Sequence, residues 1–441
     1  MTRRWMVLVG VLVAAGCARA TAVTKSDTPA AGFLPSGQPP QTLWAGAARV
    51  EMTSPVGTPL AGYRRRHGRP STGVHDPLYA RSLALSDGER VVVLVSCELL
   101  IIDEDLYQAV LERVERHHHI GRQGLMLWAT HTHSGPGGYG HHFLEQLSMG
   151  RYDARVFEQL SDRIAEAALR AIETLQPAAV RGGQAIVEGA SRNRLQDGGP
   201  TDPAVRALRV DAATGTPLAW LVTFAAHPTV LGAENRFFSG DYPGALMASV
   251  ERQYPQSTCL FAVGAIADQA PVYTESDRLD QAQQLGERLA REAVQAINQQ
   301  APVTQATILA AIDDLSLPPA RLRVGWWRLP AWVSERFLDR YARLHAVAVG
   351  RWLLLGAPCD MSIAIGRQMS DIARAHGWTP LIIGFADDYI GYVLPASDYA
   401  TRSYEARMSF NGPAIAEELT RALTLIIERL TTERSHATTI R

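Results

Sequence analysis

Cysteine is scarce in this chain, with four in 441 residues. Cys97, Cys259 and Cys359 each sit in or beside an apolar run, and an odd number in the body of the chain argues against a disulfide framework and for buried, unpaired thiols. Charge of one sign is lacking too: 43 basic residues face 44 acidic ones, for a formal net charge of −1. The basic excess usual for nucleic-acid-binding domains is therefore missing, and no nucleic-acid partner is expected. No internal repeat is visible. The apolar stretch from Trp5 to Gly16 is too short to cross a hydrocarbon core of about 30 Å as a helix. What is present, 46% hydrophobic and 20% charged residues, suits a globular protein with a sizeable core.

The N-terminus carries a basic pair, Arg3 and Arg4, then the short apolar run, then Ala14-Ala15-Gly16-Cys17. Basic residues, a short apolar stretch and small residues before a cleavage point describe a secretory signal. With cysteine directly after the small residues it resembles a bacterial lipoprotein signal. That resemblance implies that Cys17 is lipidated and becomes the mature N-terminus, and that the protein is exported to the cell envelope, periplasmic or anchored at the outer membrane. A plain signal with an incidental cysteine is the alternative. Residues 18–40, rich in Ala, Thr, Ser, Gly and Pro, read as a tether. A single large domain is expected over 41–432 and a disordered tail over 433–441.

Within the domain, apolar runs alternate with amphipathic stretches. Strands are expected at Val91 to Cys97, Leu125 to Ala129, Leu218 to Ala225, Cys259 to Gly264, Ala346 to Gly356 and Leu381 to Phe385. Helices are expected at Glu104 to His118, Ala154 to Leu175, Pro243 to Gln253, Asp277 to Asn298 and Pro413 to Leu430. The alternation favours an α/β architecture. Polar clusters follow the expected strands: His131 and His133 after one, His227-Pro228 after another, then Asp268-Gln269, Cys359-Asp360 and Asp387-Asp388. Active sites of open α/β sheets lie outside the carboxyl ends of strands, so five clusters placed alike point to one shared site, provided that the strands run parallel.

A zinc site needs neutral imidazoles, an oxygen or sulfur ligand and one open position. His131 and His133 alone fit that or a structural role equally well. The full string Thr130-His131-Thr132-His133-Ser134-Gly135-Pro136 resembles the neutral/alkaline ceramidase family, which hydrolyses the amide of N-acylsphingosines with zinc. Further likenesses run in order along the chain: Leu60-Ala61-Gly62-Tyr63, Val95-Ser96-Cys97-Glu98, Asn193-Arg194, Phe224-Ala225-Ala226-His227-Pro228, and Tyr392 to Tyr404 with Glu405. The resemblance implies a domain of mixed central sheets, two and stacked, flanked by helices. It implies His131, His227, Asp360 and Tyr392 as ligands of zinc, His133 as general base on the water, and Arg194 and Tyr404 as stabilisers of the oxyanion. It also implies a lipid-like small-molecule substrate.

Three departures stand beside it. Asp360 replaces the family's glutamate and Cys359 the glycine before it, which leaves a Cys359 thiolate as a rival ligand. Ala270 stands where the family has serine, so a serine-nucleophile mechanism is closed while a zinc-water mechanism is not. The family's immunoglobulin-like C-terminal domain is not expected here, which leaves ceramide as one substrate among other amides. An ester or lactone, or simple ligand binding at a degenerate site, are the alternatives. Other residues read as structural: His117 to His119 as a solvated helix end, Asp241 as a helix cap, and Arg64-Arg65-Arg66 as a solvated loop. The arginine- and tryptophan-rich run from Arg321 to Trp332 fits a membrane interface, a lid or a packed helix.

Overall fold

The computed structural model describes residues 42–439, apart from 275, 325, 326, 400 and 402. The signal, Cys17 and the tether lie outside the described residues. Eight strands form one sheet, in the order Thr258–Val263, Pro217–Phe224, Ala204–Ala212, Gln176–Ile186, Trp44–Glu51, Tyr79–Ser86, Val91–Cys97 and Leu125–Ala129. A second sheet orders Ile308–Ser316, Tyr341–Val349, Trp352–Ala357 and Thr379–Gly384. The two sheets stack, as expected.

Side-chain alternation along each strand explains the stacking. On Val91–Cys97, Val92 and Leu94 enter the layer between the sheets, where they join Met126, Trp128, Val347, Trp352, Leu354 and Ile383. Val93, Val95 and Cys97 point the other way, into a core shared with the helices. That outer face is covered by Glu104–Glu115, Ala154–Glu173, Asp241–Gln253 and Arg278–Asn298. The second sheet does the same: Leu353, Leu355 and Ala357 meet the helices Ile363–Ala375 and Ile415–Thr439 on its far side. Both faces of both sheets are thus covered, which is why strands such as Leu125–Ala129 are apolar at every position.

The large sheet curls. Ser96 Oγ and Trp128 Nε1, near one edge, both donate to the carbonyl of Phe261 on the opposite edge strand, each at 2.7 Å. The curl carries the two ends of the strand order together. Val91–Cys97 pairs in parallel with Leu125–Ala129, Pro217–Phe224 with Thr258–Val263, and Trp352–Ala357 with Thr379–Gly384. The polar clusters follow these parallel pairs, so their loops leave on one side.

Some boundaries differ from the sequence reading. The run Ala346 to Gly356 is two strands, not one: Gly350 takes φ 58° and turns the chain between Val349 and Trp352, which pair across the hairpin. The segment expected as a tail after Thr432 continues the last helix to Thr439, and Arg434 donates to the carbonyls of His376 and Gly377. Strands such as Trp44–Glu51 and Gln176–Ile186 escaped notice because they are built from Ala, Gly, Arg and Gln rather than branched apolar residues. Cys97, Cys259 and Cys359 are free and buried, as expected.

A buried ion network fastens the outer helical layer. Arg81 pairs with Glu98 at 2.7 Å and with Glu251, on the helix Asp241–Gln253, at 3.0 Å. Burial opposes its charge, but the two carboxylates outweigh that and push its pKa up. Glu98 also accepts from the backbone N–H of Tyr79, and Glu251 from that of Cys259. Arg81→Ala strands two carboxylates away from solvent and is expected to lower unfolding free energy by about 3–5 kcal/mol, read from urea denaturation.

Candidate metal centre

His131 leaves the strand Leu125–Ala129 in left-handed backbone, φ 62°, and is buried. Its Nδ1 lies 2.7 Å from the carbonyl of Leu100, and its ring stacks on Phe385 at 3.9 Å between centroids. His227, after the strand Pro217–Phe224, has Nδ1 2.9 Å from the carbonyl of Ile266 and 3.2 Å from that of Gln269. A carbonyl accepts only from N–H. Each ring therefore carries its proton on Nδ1 and presents a bare Nε2.

The two bare nitrogens face a common space. His133 Nε2 is 3.2 Å from His131 Nε2, and the ligand nitrogens of His131, His133 and His227 all lie within 4.8 Å of one another. Asp360 Oδ2 is 3.2 Å from His227 Nε2. Asp360 pairs in parallel register with Tyr392, through the short strands Asp360–Met361 and Tyr392–Val393. Arg194 reaches in from the other side: its Nη2 is 3.3 Å from the Tyr392 hydroxyl and 3.5 Å from His227 Nε2. Its Nε donates to the carbonyl of Ala267 at 2.8 Å and pairs with Glu405 at 3.1 Å.

The electrostatics suit a cation. Burial, then the neighbouring imidazole His227, pushes His131 down to about 3, and burial likewise drives His133 and His227 well below the usual range. All three rings are neutral near pH 7, the form that binds metal. Burial raises Asp360 to about 6, against the pull of His131, Arg194 and the Tyr392 hydroxyl. Among the described residues, neither oxygen of Asp360 makes a well-formed hydrogen bond, although the side chain is fully buried. A buried carboxylate facing bare imidazole nitrogens is costly alone and is satisfied by a divalent ion.

The sequence reading placed these residues together, and the structure joins His131, His133, His227, Asp360, Tyr392 and Arg194. Tyr404 stands at the rim, 56% exposed, its ring edge-on to Tyr392 at 5.8 Å. The rival ligand, Cys359, points away from Asp360 into the core behind the second sheet, and burial pushes its thiol up, away from thiolate. Ala270 lies on the short strand Gln269–Pro271, paired with Arg192. Beneath it, Asp268 accepts from the backbone N–H of Ile363 at 2.9 Å and from Asn193 at 3.3 Å, which fixes the backbone that carries Arg194.

Arg66 is a correction. It is not solvated: it is 5% exposed, and its guanidinium donates to the carbonyls of Ala61, His133, Gly232 and Ala233. It ties the loops that bear His133 and follow His227. Arg64 and Arg65 are exposed as expected. Nothing in one sequence separates a clamping arginine from a surface one. Gly62 lies so close to His133 that a Cβ there would sit 2.5 Å from its Nδ1, and Tyr63 packs on the ring at 4.7 Å. Asp241 is no conventional cap. It starts its helix at φ 54° and accepts from the backbone N–H groups of Leu231 and Tyr242, bracing the loop after His227. His119 pairs with Glu115 at an exposed helix end, as expected.

Fold and site together define an α/β protein with two stacked sheets and a histidine–carboxylate centre able to hold a divalent ion. The chain belongs to the neutral/alkaline non-lysosomal ceramidase family, whose N-terminal domain profile matches residues 44–267. That stretch includes His131, His133, Arg194 and His227. Among similar proteins, the neutral ceramidase of Pseudomonas aeruginosa is 28% identical over 40% of this chain and 28% of its own length. That of Mycobacterium tuberculosis is 28% identical over 42% of this chain and 32% of its own length. The matched stretches thus span about a third or less of these relatives. The crystal structure of the Pseudomonas aeruginosa neutral ceramidase superposes on 89% of this chain and 75% of its own, with a TM-score of 0.81 at 20% identity. A ceramidase structure complexed with C2 superposes with a TM-score of 0.80 at 19% identity. The shared fold therefore extends well past the sequence match, to 89% of this chain.

Metal retention is the direct check on this geometry. The wild-type chain is expected to keep about one divalent ion per chain through gel filtration, read by elemental analysis. His227→Ala and Asp360→Asn, each removing a donor, are expected to lose most of it.

Proposed function

We propose that this protein is a zinc-dependent hydrolase of an amide bond in an N-acyl lipid-like substrate. The observation that carries the reading is the convergence of two carbonyl-pinned imidazoles, the orphaned Asp360 carboxylate and the Tyr392 phenol on one buried point faced by His133 and Arg194. Nitrogen and oxygen donors of this kind suit zinc. When bound, zinc would supply a Lewis acid that lowers the pKa of water from 15.7 to about 7.

The protein's own groups divide the remaining work. His131 and His227 hold their lone pairs inward because their Nδ1 protons are committed to backbone carbonyls. His133 differs: its Nδ1 is buried and has no hydrogen-bond partner among the described residues. No backbone carbonyl pins its tautomer, and its Nε2, 3.2 Å from that of His131, is the atom that would take a proton from water and return it to the leaving nitrogen. Arg194 is permanently charged, held so by Tyr392, Asp360 and Glu405 against the cost of burial. It serves as an oxyanion donor, never as base, and such a donor is worth about 3–4 kcal/mol. Tyr404, at the rim, adds a second donor as substrate enters. With Ala270 in the family's serine position, the reading rests on activated water rather than a side-chain nucleophile. Esters and lactones pass through a similar tetrahedral oxyanion and are secondary substrates to try.

A second reading makes His133 a third imidazole ligand, favoured by the 4.8 Å span of the three ligand nitrogens. The two separate cleanly. As a base, His133→Ala is expected to cut turnover of N-acyl amides about 10²–10⁴-fold with metal content unchanged. As a ligand, the same change would empty the site. Turnover that survives a chelator able to strip the ion would retire the zinc mechanism, and a purified chain with neither metal nor turnover would leave a ligand-binding protein.

The Arg3-to-Cys17 segment supports export as a lipid-anchored protein of the cell envelope. Radiolabelled palmitate is expected to enter the wild-type protein and not a Cys17→Ala variant.

A further inference from the structure

Between the strands Ile308–Ser316 and Tyr341–Val349 runs a connection that the metal centre does not use. Residues 321 to 341 hold three of the nine tryptophans in the chain, together with Phe337 and Tyr341. They also hold five arginines against one glutamate and one aspartate, in a chain whose net charge is −1. The connection has a built base. Arg323–Val324 pairs antiparallel with Trp327–Arg328. Leu329 donates its N–H to the carbonyl of Leu322, and Ser334 Oγ accepts from the N–H of Leu322. Leu322 and Ser334 are buried, yet Trp332 is 66% exposed and Tyr341 62%. Arg321, Arg336 and Arg340 are also exposed, and the Arg336 guanidinium lies 5.9 Å from the Trp332 ring.

The connection lies beside the candidate site. At its start, Arg321 donates to the carbonyl of Phe410, and Asn411 donates to that of Pro318. The Phe410 ring packs on Gly391, next to Tyr392. Toward its end, Asp339 comes within electrostatic reach of His142, whose neighbour Phe143 is 62% exposed. Exposed aromatic rings thus run from the Tyr392 side to the loop that follows His131 and His133.

We infer that the 321–341 connection docks this face of the protein onto a bilayer containing anionic lipid. Trp and Tyr rings favour the headgroup region, and arginines among them pair with lipid phosphates. Trp332 and Tyr341 leave apolar surface in water that a bilayer would cover. No helix among the described residues is long and apolar enough to cross a membrane, so the contact is one of surface seating. Charge favours the occupant: five arginines against two carboxylates in the connection match anionic headgroups. The inference goes beyond the hydrolytic reading, since docking is measured without turnover and stands or falls separately.

The test uses the full chain with Cys17→Ser, so that lipid attachment does not contribute. It is mixed with vesicles of phosphatidylcholine alone or with 30% phosphatidylglycerol, and binding is read by co-sedimentation. The mixed vesicles are expected to bind at least about tenfold more tightly, with the gain lost in high salt. The variant Trp332→Ala/Arg336→Glu/Arg340→Glu is expected to lose about tenfold or more of that binding, with metal content and melting temperature unchanged. Trp332→Phe should retain most of it. Equal binding to both vesicles, no binding to either, or undiminished binding by the triple variant would each overturn the inference. So would self-association in sedimentation velocity that Trp332→Ala relieves, because the face would then seat a second copy.

Discussion

The arrangement of the centre depends on two hydrogen bonds to backbone carbonyls, one from His131 to Leu100 and one from His227 to Ile266. A histidine on a loop has many rotamers and two tautomers, and only one combination offers Nε2 to a shared point. Here the acceptors belong to the loops that leave the sheet beside the histidines themselves. Leu100 follows Val91–Cys97, the parallel partner of the strand before His131, and Ile266 follows Thr258–Val263, the parallel partner of the strand before His227. Parallel pairing therefore sets ring orientation as well as ring position.

The centre concentrates conformational and polar cost. His131, Asp241, Phe385 and Asp387 are all non-glycine residues at positive φ, and each borders the imidazole cluster or its supporting loops. Such backbone costs of order 1–3 kcal/mol at each position and persists only where its surroundings over-determine it. The surroundings do so: Asp387 is locked by His345 at 2.7 Å and by the N–H of Leu127 at 2.7 Å, and Phe385 beside it supports the His131 ring. The apolar layers on both faces of both sheets stabilise the fold enough to hold a pocket of neutral imidazoles and a buried carboxylate without a well-formed hydrogen bond.

Much of this was legible in the residues. The α/β class, the apolar strands of the parallel pairs and the positions of the long helices follow from run length and periodicity, because those elements are buried on both faces or amphipathic. The gathering of His131, His133, His227 and Asp360 followed from their common place after strands, whereas Asp387 turns to His345. What escaped has a physical reason. Strands on the antiparallel side of the large sheet carry Ala, Gly and Arg, which read as loop. Arg66 looks like any surface arginine until three chain segments wrap around it. The division between Asp360 and Cys359 could not be read from adjacent positions, since neighbours on an extended segment face opposite ways and only the fold says which way is inward.

Cys97, Cys259 and Cys359 are shut away from water, and burial holds them protonated. Thiolate is the species that oxidants and disulfide-exchange enzymes attack, so these sulfurs are inert on both counts. The covalent skeleton of the folded body is thus the same in a reducing compartment as in an oxidising one. A chain built in this way gains nothing from a disulfide-forming catalyst, and passage between the two environments leaves its architecture unaltered.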